Sequence, residues 1–199
     1  MNYSVSTTSE PATEPITSAE AKLHCRVEHT ADDSIFTRLI AAARLATERY
    51  CDRRWITQTV RVTLAAFPTG DGCLQLPVSP VSAVDSLKYY ATDGTFTTMP
   101  GDDYQTWLQH SPPVVAPAPT EVWPATQTGR IGAVEVNLTC GFGSASSVPD
   151  DAKAAMLLAI GYWYANRGDG RDPHGSPESL GLPPAAMRLL DGLASGGYC

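Results

Sequence analysis

The chain has 199 residues, of which 43% are apolar and 18% are charged, and its formal net charge is −7. This length suits one domain, or one domain with arms, and a real core, and the shortage of basic residues argues against a protein that wraps nucleic acid. No apolar run reaches the about 18 residues that a membrane span needs, and the N-terminus lacks the regions of a secretory signal. The sequence therefore predicts cytosolic synthesis, free thiols and no membrane association.

The N-terminal part of the chain combines a polar arm with two helical patterns. Residues 1–15 are rich in Ser, Thr, Glu and Pro and predict a flexible arm. Thr17 and Glu20 form a capping box, which predicts a short helix through about Cys25. A long amphipathic helix over about 32–52 follows, because apolar residues recur there at three- and four-residue spacing. They are Ile35, Phe36, Leu39, Ile40, Ala43, Ala46 and Tyr50.

The middle of the chain changes to the two-residue periodicity of strands. Asp93-Gly94, between two runs rich in Tyr and Thr, predicts a hairpin. The proline-rich segment 111–129 predicts an edge or a surface wrap and excludes a central strand, because proline cannot donate a ladder hydrogen bond. The predicted strands are 57–67, 73–78, 84–91, 95–99, 103–109 and 133–140.

A second long helix is predicted from Pro149, which suits a first helical position, to about Asn166. Its segment AAMLLAIGYWYA (154–165) has no charged residue and therefore no polar stripe. Two interpretations stay open: the helix is the centre of a core, or it packs on its own domain with one face and on a neighbouring subunit with another. A last short helix is predicted from Pro183 or Pro184 to about Leu193.

The order of these elements, without strand–helix alternation, predicts an α+β fold and not a doubly wound sheet. We expect a mainly helical core, made of two long helices plus short N- and C-terminal helices. A small antiparallel β region would be inserted between the long helices. The expected organisation is a flexible N-terminal arm (1–15), a core domain (16–167), and a loop with a C-terminal docking arm (168–199).

Motifs with chemical function are weak throughout the chain. The glycine loop 141–144 has only a fragment of a dinucleotide fingerprint, and Asp150 and Asp151 would repel a phosphate at the following helix N-terminus. The segment HCRVEH (24–29) lacks the second ligand pair of a zinc site. The sequence therefore predicts no enzyme, no catalytic residue, no metal site, no cofactor and no nucleic-acid-binding residue. A small Cys–His hydrolase stays open as an alternative, because such residues meet only in the fold.

Four segments of the chain, in this order, resemble the head–tail connector (adaptor) family of long-tailed double-stranded-DNA phages and phage-derived particles. None of them carries a catalytic motif. The N-terminal arm and the loop 168–182 depart from the family pattern. The segments are EPITSAEAKLHCRVEHTADDSIFTRLIAAARLATERYCDRRWITQT, LQLPVSPVSAVDSLKYYATDGT, PAPTEVWPATQTGRIGAVEVNLTCGFG and VPDDAKAAMLLAIGYWYANR, within about residues 14–167.

The resemblance implies a structural protein in the virion neck of a phage or of a particle like a gene transfer agent. It implies a homo-oligomeric ring of about twelve copies, bound to the portal protein and to the next neck or tail-terminator protein. Genome DNA would pass through the lumen during ejection without specific binding, which suits a net charge of −7. Another ring protein of the neck or tail end, such as a tail terminator, is the alternative.

Candidate contact residues follow from this interpretation. The uncharged helix predicts a subunit interface that includes Leu158, Tyr162 and Trp163. The C-terminal arm predicts docking onto the portal through apolar anchors. The predicted portal-docking residues are Met187, Leu189, Leu190 and Tyr198.

Overall fold

The computed structural model describes residues 3–70, 72–166 and 181–194. Within these ranges the chain forms four α-helices and eight β-strands, and the strands form two sheets. The described residues divide into two compact units. The β unit comprises residues 3–12 and 57–141, and the helical unit comprises residues from 13–56 and 142–194.

The prediction of a mainly helical core with a small β insertion is therefore wrong. The strands build a unit with its own hydrophobic core, as large in residue number as a small domain. The physical reason is that strands distant in sequence pair with each other, as β2 (Gln58–Leu64) does with β8 (Val134–Cys140). Periodicity identifies a strand but not its partner. The size of the sheet could therefore not be predicted from the short strands.

All strand pairs in the β unit are antiparallel. The remaining strands are β1 (Tyr3–Ser9), β3 (Leu74–Gln75), β4 (Val81–Tyr90), β5 (Phe96–Thr98), β6 (Tyr104–Trp107) and β7 (Val114–Pro117). The order is β1-β2-β8-β4-β5 in the five-stranded sheet and β3-β7-β6 in the three-stranded sheet.

At the centre of the five-stranded sheet, buried residues alternate with more exposed ones along β2 and β8. Val60 and Val62 lie opposite Leu138 and Val136, and all four side chains are buried. The intervening residues are mainly polar and point to the other face, as the two-residue period of a strand requires. Cross-strand pairs of β-branched and aliphatic side chains stabilise this central ladder.

The N-terminal strand β1 differs from the predicted flexible arm. Residues 3–9 pair with β2, and Val5 lies opposite Val62. Val5 is half-buried and the other six side chains of the strand are exposed, so β1 is held mainly by its backbone hydrogen bonds. The Ser, Thr and Val of this segment favour strands, but its exposed polar side chains resemble those of a disordered arm.

The proline-rich segment also differs from its prediction, because β7 is the central strand of the three-stranded sheet. Pro117 is the last residue of β7, where it lies opposite Tyr104. A missing N–H costs least at the end of a strand. The carbonyl of Pro117 accepts a hydrogen bond from Gln105 Nε2 at 3.1 Å. A central strand of this protein therefore ends on a proline, and the prediction that excluded a central strand from this segment is wrong.

The helical unit contains α1 (Ser18–Cys25), α2 (Asp33–Cys51), α3 (Asp150–Ala165) and α4 (Pro184–Asp191). The predicted capping box of α1 is present, with Glu20 N donating to Thr17 Oγ1 and Thr17 N donating to Glu20 Oε2. The ends of α2 lie within one residue of those predicted from periodicity. Local patterns therefore located these helices well.

The uncharged helix α3 lies at the centre of the helical unit, because α1, α2 and α4 all pack against it. One stripe of α3 is fully or nearly fully buried: Ala152, Ala155, Met156, Ala159 and Ile160. The residues between them are mostly half-buried. Packing by three helices explains why a helix of a small protein carries no charged residue after its first turn.

Candidate functional site

The C-terminal turns of α3 carry the predicted subunit-interface residues. Leu158, Tyr162 and Trp163 are all half-buried in the described part of the chain. The indole Nε1 of Trp163 donates a hydrogen bond to the carbonyl of Gly181 at 3.4 Å. The structure brings these three side chains to one end of a well-packed helix, and each keeps part of its surface accessible.

The neighbouring Tyr164 is fixed by contacts that the sequence analysis did not predict. Its ring stacks on Phe36 with a centroid distance of 4.7 Å, and its hydroxyl donates to Asp32 Oδ2 at 2.6 Å. A half-buried aromatic ring whose hydroxyl is hydrogen-bonded holds together the two elements that it contacts. The aromatic end of α3 is therefore locked to the start of α2.

Gly161 lets α1 approach α3 closely. A Cβ atom at this position would lie 3.2 Å from His24 Nε2. His24 thus packs against α3, which gives a structural role to one of the histidines of the segment 24–29, for which the sequence predicts no zinc site. Within residues 3–70, 72–166 and 181–194, no group of three or more His, Cys, Asp or Glu side chains could hold a metal ion.

A buried ion network joins α2 to the chain before α1. Arg44 Nε donates to Glu14 Oε2 at 2.8 Å, and Arg44 Nη1 donates to Glu48 Oε2 at 3.3 Å. The other Glu48 oxygen accepts the backbone N–H of Trp55 at 3.0 Å. Arg44 and Glu48 are both nearly fully buried. The available sequence signal was their i,i+4 spacing on an otherwise apolar face.

The predicted portal-docking residues of α4 have two different environments. Leu190 is fully buried in the core of the helical unit, while Met187 and Leu189 are half-buried. Any contact of α4 with a partner therefore has to come from Met187 and Leu189, unless the helix leaves its place. Tyr198 lies outside the described residues.

Polar contacts also fix α4 to α2. The hydroxyl of Tyr50 donates to Asp191 Oδ1 at 2.6 Å, and Arg53 Nε donates to the carbonyl of Leu193. Residues 184–194 are therefore an integral part of the helical unit. The predicted docking arm, within residues 168–199, included this region because a short amphipathic helix after prolines looks the same in sequence whether it packs on its own chain or on a partner.

Several large apolar side chains of the β unit are exposed, and the sequence analysis missed them. Ile131 is 95% exposed, Val122 is 66% exposed and Trp107 is 60% exposed. Single exposed apolar residues are normal on protein surfaces. Ile131 lies in the loop between Gly129 and Gly132. Val122 lies in the lining of a groove that also contains Cys73.

The cysteines differ in reactivity because they differ in burial. Burial raises the pKa of the Cys51 thiol to about 11, and Cys140 is also buried, whereas Cys73 is exposed. A raised pKa keeps the thiol protonated and unreactive at pH 8, since only the thiolate is a nucleophile. In a Cys199→Ser background, we expect Cys73 to react rapidly with Ellman's reagent at pH 8, and Cys51 and Cys140 to react only in denaturant.

This thiol prediction has a direct control in the variant Cys73→Ser. Replacement of Cys73 should remove the rapid phase and leave the phase seen in denaturant unchanged. A rapid phase of unchanged amplitude in the Cys73→Ser protein would contradict the assignment. Raising the pH from 8 to 9 should leave Cys51 unreactive, since both values lie below its pKa of about 11.

The segment that contains α1, α2, β2, β3 and β4 matches one family model. Residues 16–95 match the family model described as "Phage gp6-like head-tail connector protein". This match confirms the family resemblance seen in the sequence, over less than half of the chain. None of the helices among the described residues is long and apolar enough to span a membrane.

The fold as a whole is similar to that of chains in gene transfer agent (GTA) particles, each with 24% sequence identity. A chain in "Neck of empty GTA particle computed with C6 symmetry" has a TM-score of 0.78, covering 98% of this chain and 97% of that chain. A chain in "Virion of native gene transfer agent (GTA) particle" has a TM-score of 0.76 with the same coverage. A chain in "Neck of native GTA particle computed with C12 symmetry" has a TM-score of 0.68, covering 96% and 97%. No curated protein sequence matches the chain.

Proposed function

We propose that this protein is a structural subunit of the neck of a phage or phage-like particle. Its copies assemble into a homo-oligomeric ring that joins the capsid portal to the next neck or tail protein. The observation that carries the proposal is the fold likeness to a neck chain over 98% of this chain, at a TM-score of 0.78. The connector-family match at residues 16–95 is an independent support.

The proposed role is mechanical and not enzymatic. The family match and the neck chains of similar fold both belong to proteins named for their place in a particle. A net charge of −7 suits a ring through which a duplex passes, because a negative lumen repels phosphates and does not hold the DNA. The protein would therefore reside in the virion neck after synthesis in the host cytoplasm.

The subunit interface is proposed to include the accessible parts of Leu158, Tyr162 and Trp163. These side chains are half-buried within one copy, so a neighbouring copy can complete their burial. Portal docking is proposed for the C-terminal region 168–199, with Met187, Leu189 and Tyr198 as apolar contacts. Leu190 is fully buried. It would stabilise the helix that carries Met187 and Leu189 without contacting the portal itself.

The experiment that tests the function is native mass spectrometry of the protein alone and after mixing with portal rings of the same particle. We expect a species of about twelve copies, either free or on the portal. Replacing Tyr162 with Ser should reduce this species while changing the melting temperature little, because the side chain is already partly exposed. A protein that stays monomeric and ignores the portal would contradict the proposal.

The main competing function, a tail terminator, is distinguished by the same experiment with a different partner. A tail terminator should bind purified tail tubes and leave portal rings unoccupied. A neck adaptor of the proposed kind should bind portal rings first. Binding to tail tubes and not to portal rings would therefore assign the protein to the tail end of the neck.

A further inference from the structure

We propose that adjacent copies in the ring lock together through the loop 129–132 of one copy and a groove on the β unit of the next. Ile131 would insert into the groove beside Cys73, and Arg130 would face Glu121. This inference rests on the proposed ring, since it names the contact by which neighbouring copies join. The partner is a second copy of this chain.

The loop presents Ile131 as a fixed apolar projection. Gly129 has φ 74° and Gly132 has φ 68°, which are left-handed conformations that glycine adopts without strain. The Arg130 guanidinium carbon lies 3.5 Å from the centroid of the Tyr90 ring, and Arg130 N donates to the carbonyl of Gln127. These contacts hold the loop in one conformation, and the branched isoleucine side chain is itself stiff. Docking it would therefore cost little conformational entropy.

The groove is a concave surface on the same unit, lined by apolar side chains together with Gln105, Thr120 and Glu121. Its volume is about 580 Å³, and its walls are stiffened by prolines, whose φ angles are fixed. Trp123, which follows the lining residue Val122, is buried and donates from Nε1 to the carbonyl of Gly72 at 2.7 Å. The side chains that line it include Cys73, Ala116, Pro117, Pro119, Glu121 and Val122.

The geometry of a ring requires two such surfaces on every copy. Head-to-tail contacts use two different patches, whereas a patch that binds itself closes as a dimer and leaves no site for a third copy. Ile131 of the loop is an almost fully exposed apolar side chain, and the groove is a concavity with apolar side chains in its lining. They can therefore serve as the two different patches of one repeated contact.

The charges beside the two surfaces are complementary. Arg130 precedes Ile131 in the loop, Glu121 precedes Val122 in the groove, and all four residues are exposed. An exposed pair of opposite charges contributes little affinity, but it fixes the orientation of an apolar contact and excludes wrong alignments. This arrangement favours a loop-to-groove contact over contact between two loops, which would bring two arginines together.

The contact can be tested with one introduced cysteine, because Cys73 already lines the groove. The variant Ile131→Cys in a Cys199→Ser background is assembled into rings and oxidised mildly. A non-reducing denaturing gel should show a ladder of linked copies from assembled rings, and single copies from unassembled protein. The matched control Ile131→Cys with Cys73→Ser should give no ladder.

Rings of normal native mass that yield no disulfide between positions 131 and 73 would overturn the contact and leave the proposed ring intact. Absence of rings in the unmodified protein would instead overturn the proposed function. The two failures are therefore distinguished by the native mass of the same samples.

A second test does not depend on cysteine chemistry. Ile131→Asp should lower the fraction of protein in rings about tenfold or more, because a carboxylate would be buried in an apolar groove. Glu121→Arg should also weaken assembly, because it would bring two arginines together, whereas Glu121→Gln should change the fraction of protein in rings little. Rings that tolerate Ile131→Asp, or a Glu121→Arg protein that assembles as well as the Glu121→Gln protein, would overturn the proposal.

Discussion

Replacing Glu48 with Ala is expected to lower the free energy of unfolding by about 3–5 kcal/mol, the range for breaking a buried ion pair from one side. Glu48 is 2% exposed. One of its oxygens accepts from Arg44 Nη1 and the other accepts the backbone N–H of Trp55. The substitution removes a carboxylate that compensates a buried guanidinium, and it also removes the acceptor of a buried amide.

The control for this prediction is Glu14→Ala, which removes the other carboxylate that contacts Arg44. The Glu14 side chain is 33% exposed, so water can replace part of the lost interaction, and we expect a loss of about 1 kcal/mol. Urea unfolding at pH 7 measures both changes. A Glu48→Ala protein that is as stable as the Glu14→Ala protein would contradict the prediction, because the buried carboxylate would then contribute no more than the partly exposed one.

Replacing Leu190 with Ala should cost about 2–5 kcal/mol, the range for truncating a buried leucine. Its side chain has 0% exposure and lies in the same core cluster as Phe36 and Met156. The backbone carbonyl of Leu190 also accepts from Cys51 Sγ, so the residue is held on both sides. The loss should appear as a lower midpoint in thermal or chemical unfolding.

Leu189→Ala is the matched control for Leu190, because it removes the same atoms from a half-buried neighbour. We expect a smaller loss of stability there. If Leu190→Ala left the unfolding midpoint unchanged and abolished attachment to the portal, Leu190 would be a docking residue and not a core residue. The pair of variants therefore separates the two roles within one turn of helix.

The parts of the fold that the sequence located correctly depend on neighbours along the chain. The α1 capping box, the bounds of α2 and the β4–β5 turn at Asp93-Gly94 are all set within a few residues. At that turn, Gly94 has φ 86° and Asp93 Oδ1 accepts from Thr95 N at 2.8 Å. The position of β1 beside β2 depends on pairs from Ser9 and Thr59 to Tyr3 and Leu64, which are far apart in the chain, and a single sequence carries no record of such pairing.

The candidate site was less predictable for a similar reason. Periodicity correctly marked α3 as unusual, but exposure could not be inferred for Ile131, since Gly-Arg-Ile-Gly is typical of any turn. The burial of Leu190 was also hidden, because a helix with one apolar stripe gives no indication of which surface receives it. The apolar residues of α2 alone predict its buried face. The burial of the charged residues Arg44 and Glu48 on the same helix could therefore not be predicted.

Neither unit is a continuous piece of chain, and this limits how the protein can be dissected. The chain passes between the units after residues 12, 56 and 141, so each unit is assembled from separate segments. The range 16–95 of the family match contains α1 and α2 but not α3, and it contains β2 and β4 but not β8. A fragment of residues 16–95 would contain only part of the hydrophobic core of each unit. Separate study of the two units therefore requires rejoined or permuted chains and not truncation.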